Sequence, residues 1–458
     1  MRGLFARLRD RRVQAMLVIA GFQLWLALLW FVYWGHGIAR GLIVLVVMAS
    51  LLLLRVIPPR PADEPEQRHI PRILRWAIAL ALLLNIILMI DTSQHALRTG
   101  KIPMDEGQTT WRAVRMLAHG ENPYGTGALT DFVAFKKREV IREKIGMAPN
   151  VPVEARSGAL ANYDQTLDPA LRKSLLPVPS SPTEVQRREA SVIGYKYGPV
   201  ILIATVLFEP FGISAAVLWL NAAACFGLFA VLWRIIRRIG ASDMAVAAFA
   251  MLALLLDRHV TRDYISRSGT DVYSLFFGAL AVLAYMKQRQ TWTAIAVALS
   301  VGCKIFPGFG FFPLLFAFRS TRPVFIFAGV LMALYLPWMI WDAHGLFYNE
   351  FDWPLLMGST RSSWQQSATA PLVFAARLLL LAGLAVVWIR FLLRRDDRLF
   401  WCLAMSNTLL LLAGATFSNN YVPWASIWIV ISVVEAFAYV RQTGRSAPTT
   451  FAASPVSP

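Results

Sequence analysis

The stretch ILRWAIALALLLNIILMI, residues 73–90, decides the fold class. An apolar run of this length approaches the roughly 20 residues a helix needs to cross a bilayer. Similar runs recur at Gln14–Trp34, Gly41–Ile57, Ile213–Ile236, Ala241–Leu256, Thr270–Met286, Pro323–Trp341, Pro371–Leu393, Leu399–Phe417 and Tyr421–Val440. Several fall somewhat short of that length. The 458 residues are 57% hydrophobic and only 16% charged, the balance of a polytopic membrane protein. The 16 Trp and 28 Phe suit interfacial belts and lipid-facing helices. A net charge of +18 raises nucleic acid as a partner, but basic loops in an apolar chain are better explained by membrane topology. The predicted fold is therefore all-α, with membrane lipids as surroundings and no nucleic-acid partner.

The three cysteines, Cys225, Cys303 and Cys402, all lie inside apolar runs without metal-type spacing, and read as small buried hydrophobes. The basic start MRGLFARLRDRR leads into an apolar run with no small-residue cleavage site after it, so that run reads as a retained first span. Within Thr291–Phe318, Lys304, Pro307 and Gly308 interrupt the apolar pattern, which predicts two short helices in a hairpin with Lys304 near its apex.

Clusters of Lys and Arg at 1–12, 55–75, 234–238, 287–289, 319–322, 394–398 and 441–445 fall on one side only if the Pro-bounded segment Tyr197–Gly212 does not span. The spans then alternate consistently through about twelve passes, with both termini cytoplasmic. Residues 1–72 form an N-terminal transmembrane hairpin, residues 73–341 a central unit containing the extracytoplasmic loop 91–196, and residues 342–458 a last loop, three spans and a cytoplasmic tail. The same arrangement puts the loop 91–196, the turn 257–269, the loop 342–367 and the short exit at 418–421 outside.

That outer face collects most of the unusual polar chemistry. The segment MDEGQTTWRAVRMLAHGENPYG (104–125) opens the long loop. Asp105 followed by Gln108 matches a helix capping box, Trp111, Val114, Leu117 and Ala118 recur at helical spacing, and Gly120 with Pro123 supplies the stop. This predicts an amphipathic helix on the membrane surface. The helix N-terminus that would make Asp105 a cap also keeps a carboxylate ionised, as a general base requires. Lys196, in IGYKYGPV (193–200), is either an interfacial anchor or a phosphate contact. Arg258, Arg262 and Arg267 alternate with Asp257, Asp263 and Asp271 in DRHVTRDYISRSGTD (257–271), where internal pairing competes with a lipid phosphate. His259 has no metal-ligand set around it in the sequence. Lys304 either meets a phosphate or carboxylate, or snorkels to an interface. In the loop 342–367, Tyr348, Phe351, Trp353 and Trp364 alternate with Asp352, Arg361, Gln365 and Gln366, a mixture that suits carbohydrate or an interface. With no P-loop, Rossmann fingerprint, HExxH or nucleophile elbow, an ATP-driven pump is not indicated.

These motifs resemble the GT-C superfamily of membrane glycosyltransferases, most closely glycosyltransferase family 87 (DUF2029-like). The resemblance runs, over roughly residues 85–440, through Asp105 and its helix, Gly120-Glu-Asn-Pro-Tyr124, Tyr195-Lys-Tyr197-Gly-Pro199, SRSGTD (266–271), Lys304-Ile-Phe-Pro307 and Ser418-Asn-Asn-Tyr421. It implies inverting transfer of a sugar, often mannose or a pentofuranose, from a polyprenyl-phosphate donor to a lipid or glycan acceptor. The enzyme would sit in an inner (plasma) membrane with its active site facing the periplasm or exterior. Asp105 would act as general base, and the central unit would be the catalytic core. Of the phosphate candidates, Lys304 is carried over from a motif, whereas Lys196, Arg258 and Arg262 follow from charge and topology. Glu106, Tyr124, Tyr197, Asp271, Asn420 and Tyr421 complete the substrate-binding candidates. No cofactor is expected, and a divalent metal is left open. The chain departs from the family pattern in its extra N-terminal hairpin, its 131–190 insertion and its Gly-Thr-Asp271 start to a middle span. A transporter or flippase of lipid-linked glycans, or an O-antigen-ligase or polymerase-like protein, is the alternative.

Overall fold

Every regular element among the described residues is a helix. The computed structural model describes residues 10–33, 48–55, 57, 66, 68–99, 105–124, 165, 195–208, 213–240, 243–267, 269–347, 349–350, 370–394, 398–413 and 421–438. In chain order the helices are α1 (Arg11–Tyr33), α2 (Arg72–Thr99), α3 (Asp105–Ala118), α4 (Pro199–Val206), α5 (Ile213–Ile239) and α6 (Met244–Leu255). A π-helix (Val260–Ser266) follows, then α7 (Asp271–Met286), α8 (Gln290–Cys303), α9 (Ile305–Phe309), α10 (Pro313–Phe316) and α11 (Arg322–Phe347). The last three are α12 (Ala370–Arg394), α13 (Leu399–Ala413) and α14 (Val422–Ala438).

Two kinds of apolar helix build the molecule. Helices α13 and α14 are apolar all round and almost wholly buried, and together with α7 and α8 they form the centre. Around them α2, α11 and α12 turn large apolar side chains outward, among them Ile73, Phe325, Ile340, Leu379 and Leu393. Outward apolar faces of this extent match a hydrocarbon surrounding rather than water. Arg72–Arg98, Val217–Ile239, Arg322–Phe347 and Ala375–Arg394 are long and apolar enough to cross a bilayer. Helix α6 with the π-helix, bent by 55°, makes a fifth span if the pair is taken as one. Against an expectation of about twelve passes, the other helices that fall on expected spans are mostly short. Helices α7, α13 and α14 have 16, 15 and 17 residues. Their side chains meet protein on nearly every side, so lipid thickness does not dictate their length.

Helix α2 runs on past Ile90 to Thr99, so the long loop begins later than the hydropathy pattern predicts. Polar residues replace lipid-facing ones there because the helix packs against the π-helix, where the Thr92 hydroxyl donates to the Ser266 carbonyl at 3.0 Å. Helix α3 ends where Gly120 and Pro123 predict. Gly120 takes a φ of +76°, and Glu121 N–H donates back to the Met116 carbonyl at 2.9 Å, closing the helix as a C-terminal cap does. Helix α3 packs on α4 and α5, burying Ala113 and Val114; Ala118, read as part of its apolar face, is exposed. Helix α4 has 8 residues, too short to cross, in keeping with the reading that Tyr197–Gly212 does not span.

The two ends of the long loop are stitched together. Tyr195 N–H donates to the Pro123 carbonyl at 2.8 Å, and the Tyr124 hydroxyl donates to the Tyr197 carbonyl at 2.8 Å. The chain therefore leaves and returns at one place, and the 131–190 insertion, Gln165 apart, lies outside the described residues. Closing a shorter loop between fixed ends costs less entropy. Replacing residues 126–193 by a short Gly/Ser linker is expected to leave the purified protein monodisperse, with its thermal midpoint within a few degrees of wild type by scanning fluorimetry in detergent. Aggregation of that variant would show that the insertion is needed for the fold.

Candidate functional site

The site begins at a broken helix. Pro307 lacks an N–H and cannot close the turn onto the Cys303 carbonyl four residues earlier. Lys304 adopts an extended conformation (φ −156°, ψ 121°) between α8 and α9, and Gly308 rests on the backbone of Val301, so the chain folds back at the lysine as the Lys-x-x-Pro pattern predicts. The Cys303 carbonyl instead accepts from Gly198 N–H at 3.1 Å, which binds the 195–199 segment to the break. A side chain at Gly198 would overlap the Gly302 carbonyl, so this approach needs glycine.

At the break the Lys304 ammonium donates to Glu106 Oε1 at 3.2 Å and to Asp271 Oδ1. Both carboxylates are buried, and the lysine side chain is only 13% exposed. The rings of Tyr421, Tyr197 and Trp424 surround the ammonium, with centroids at 4.6, 5.2 and 5.4 Å, a cation–π cage. Glu106 spends its other oxygen on Thr270, accepting from its backbone N–H at 2.9 Å and its hydroxyl at 3.0 Å. That contact satisfies one of the unpaired N–H groups at the start of α7, where negative charge is also favoured by the helix dipole. Two carboxylates against one ammonium leave the cluster formally negative. Of the partners read for Lys304 from the sequence, phosphate or carboxylate, carboxylates are the ones that meet it here. Among the described residues no set of three His, Cys, Asp or Glu side chains is placed to hold a metal ion.

Five of the residues singled out from the sequence thus meet at one point: Glu106, Tyr197, Asp271, Lys304 and Tyr421. Asp105 is the first residue of α3, next to the anchored Glu106; its side chain, and Asn420, lie outside the described residues. Lys196 is half-buried, with its ammonium 5.6 Å from the Tyr197 ring centroid. Tyr124 is fully buried, and burial followed by nearby Glu350 pushes its phenol well above the usual range, so it serves as a packing and hydrogen-bonding residue.

The segment 257–269, expected to be a turn on the outer side, holds the π-helix Val260–Ser266. Its Asp257 and Asp263 are buried, because α2 and α5 supply partners for the displaced backbone. Asn85 Nδ2 donates to the Leu255 carbonyl at 2.9 Å and Asn221 Nδ2 to the Tyr264 carbonyl at 2.8 Å. Asp257 accepts from the Ser426 hydroxyl at 3.1 Å, and Arg267 pairs with Asp263 at 3.6 Å, so internal pairing accounts for part of this charge. Arg258 is exposed and Arg262 half-buried.

Sequence reasoning missed Thr270, Trp424 and a further buried acid, Glu350. Helix α11 carries Pro337 and breaks its regular dihedrals at Asp342, whose carboxylate accepts from Gly345 N–H at 2.8 Å as an N-cap does. This redirected turn lets Asn349 donate to the Tyr124 carbonyl at 2.9 Å and brings Glu350 Oε1 to the Tyr335 hydroxyl at 2.7 Å. Burial pushes the Glu350 carboxyl up to about 8. The rest of the loop singled out for carbohydrate or interface, with Tyr348, Phe351, Trp353 and Trp364, lies outside the described residues.

Removing one member of a buried ion cluster strands the others, at a cost of about 3–5 kcal/mol. Lys304→Met is expected to lose that much stability, and adding Glu106→Gln with Asp271→Asn to recover most of it, as measured by denaturation in detergent. Equal instability of the single and triple variants would mean that Lys304 acts through packing and not charge. Comparison with protein-family models, curated proteins and solved structures finds no match to this chain.

Proposed function

We propose that the chain is an integral-membrane glycosyltransferase of GT-C type, moving a sugar from a polyprenyl-phosphate donor to a lipid or glycan acceptor with inversion. The observation that carries this reading is the anchoring of α3. Glu106 is committed to Lys304 and Thr270, which fixes the first turn of the helix on which Asp105 stands. In this reading Glu106 is the anchor and Asp105 the general base that takes the acceptor proton. The attacking hydroxyl bonds to the anomeric carbon as the carbon–oxygen bond to phosphate breaks, and polyprenyl phosphate leaves as a stable anion that needs no acid. Lys304 is already paired with two carboxylates, so neutralisation of that phosphate falls to Arg258, Arg262 and Lys196. The fuller topology of about twelve passes, both termini cytoplasmic and the site on the outer face of an inner membrane, belongs to the same proposal.

A second reading is favoured by one specific feature. A lysine–carboxylate cluster at a broken apolar helix, beside a second helix bent by 55°, is also how ion-coupled transporters build a site at membrane depth. A transporter or flippase of lipid-linked glycans would use the cluster to exchange protons or cations.

Purified protein in nanodiscs is expected to transfer sugar from synthetic polyprenyl-phosphate mannose or arabinofuranose to an acceptor, and Asp105→Asn to lose about 10²–10⁴-fold of that rate. Full activity in Asp105→Asn would overturn the assignment of the base. Translocation of a fluorescent lipid-linked sugar in proteoliposomes, with no transfer in nanodiscs, would favour the transporter.

A further inference from the structure

Beyond the lysine cluster, across Tyr195 and Tyr197, lies a second polar group in an aromatic setting. Glu350 is 5% exposed and Trp338 6% exposed, and both border the wholly buried ring of Tyr124. Tyr335 takes Glu350 Oε1, whereas Glu350 Oε2 and the Trp338 indole Nε1 are buried without any hydrogen-bond partner. Tyr335 and Trp338 are three residues apart on α11 and so share a face. The walls are aromatic: Tyr124 meets Tyr195 at 5.5 Å and Trp338 at 5.3 Å between ring centroids.

Such atoms are rarely left unsatisfied, and what they lack identifies the missing group. The indole can only donate. The carboxyl, which burial holds largely protonated at neutral pH, has an oxygen that can donate or accept. An ammonium group cannot accept from the indole, and a phosphate would face a buried acid. A neutral hydroxyl does both, and aromatic rings beside hydroxyl-binding groups suit the apolar face of a sugar.

We infer that Glu350, Trp338 and Tyr124 form a subsite for a neutral sugar ring, one of whose hydroxyls accepts from Trp338 while another, or the same one, meets the free oxygen of Glu350. The inference rests on the glycosyltransferase reading, since it names the ring that this machinery would hold. Gly198 links the two places. A side chain there would collide with the Gly302 carbonyl at the helix break and come within 3.2 Å of Glu350 Oε1. One short segment therefore sits between the lysine cluster and the subsite, close enough for a ring held at Glu350 to belong to the same reaction.

The test is saturation-transfer NMR on the full chain in nanodiscs, with methyl α-mannopyranoside and methyl arabinofuranoside as probes and sorbitol as control. Saturable binding of at least one glycoside is expected. Trp338→Phe, which keeps the ring and removes the N–H, should weaken it about fivefold, and Glu350→Leu by about tenfold or more. Displacement of the bound glycoside by polyprenyl-phosphate mannose would assign the subsite to the donor's ring; additive binding would assign it to the acceptor's. Absence of saturable binding, or equal binding by wild type and both subsite variants, would overturn the inference and leave these atoms to a structural water. Binding does not require turnover. Glycoside binding without transfer would sink only the proposed function, and transfer without glycoside binding would sink only the subsite.

Discussion

A lysine ammonium held by two carboxylates, away from water and at the break in a helix, is the constraint on which the described architecture turns. Burying those charges is costly unless geometry and hydrogen bonds compensate. Here the compensation comes from four separate places: α3 through Glu106, the start of α7 through Asp271 and Thr270, the 195–199 segment through Tyr197, and the start of α14 through Tyr421 and Trp424. The cluster joins positions 33 to 198 residues apart. A charge that must be paired thus specifies how these segments meet, where apolar packing alone would allow them to slide.

The break itself shows how a buried apolar interior handles irregular backbone. Pro307 frees one carbonyl, and the N–H of Gly198 occupies it; the bend after α6 frees another, which Asn85 takes, and the end of the π-helix frees those taken by Asn221 and Thr92. In hydrocarbon each unsatisfied group would cost several kcal/mol, so irregular backbone persists only where protein lines it. The irregular segments and the polar site coincide because both need the same shielded interior.

Much of this was legible locally. Lys304, Pro307 and Gly308 interrupt an apolar run, and the helix does break there. Gly120 and Pro123 announce the end of α3, and the Pro-bounded Tyr197–Gly212 segment holds only a short helix. What was not legible depends on partners far along the chain. Nothing near Glu106 indicates that its partners are Thr270 and Lys304, 164 and 198 residues away. The aspartates of 257–271 look exposed in sequence because the polar groups that bury them stand on α2, α5 and α14. Glu350 was hidden by its loop, whose aromatics drew the reading toward an interface. Hydropathy does not distinguish a helix facing lipid from one enclosed by other helices, and α13 and α14 are of the second kind.

The asparagines of α2 and α5 have a mechanical consequence. Asn85 and Asn221 grip carbonyls on the two limbs of the bent element, one in α6 and one in the π-helix. Straightening the bend would pull both amides off their acceptors inside the buried core. Moving α2 or α5 relative to the elbow therefore costs these hydrogen bonds, and the elbow ends at Ser266, a short step before Thr270, where Glu106 is fastened.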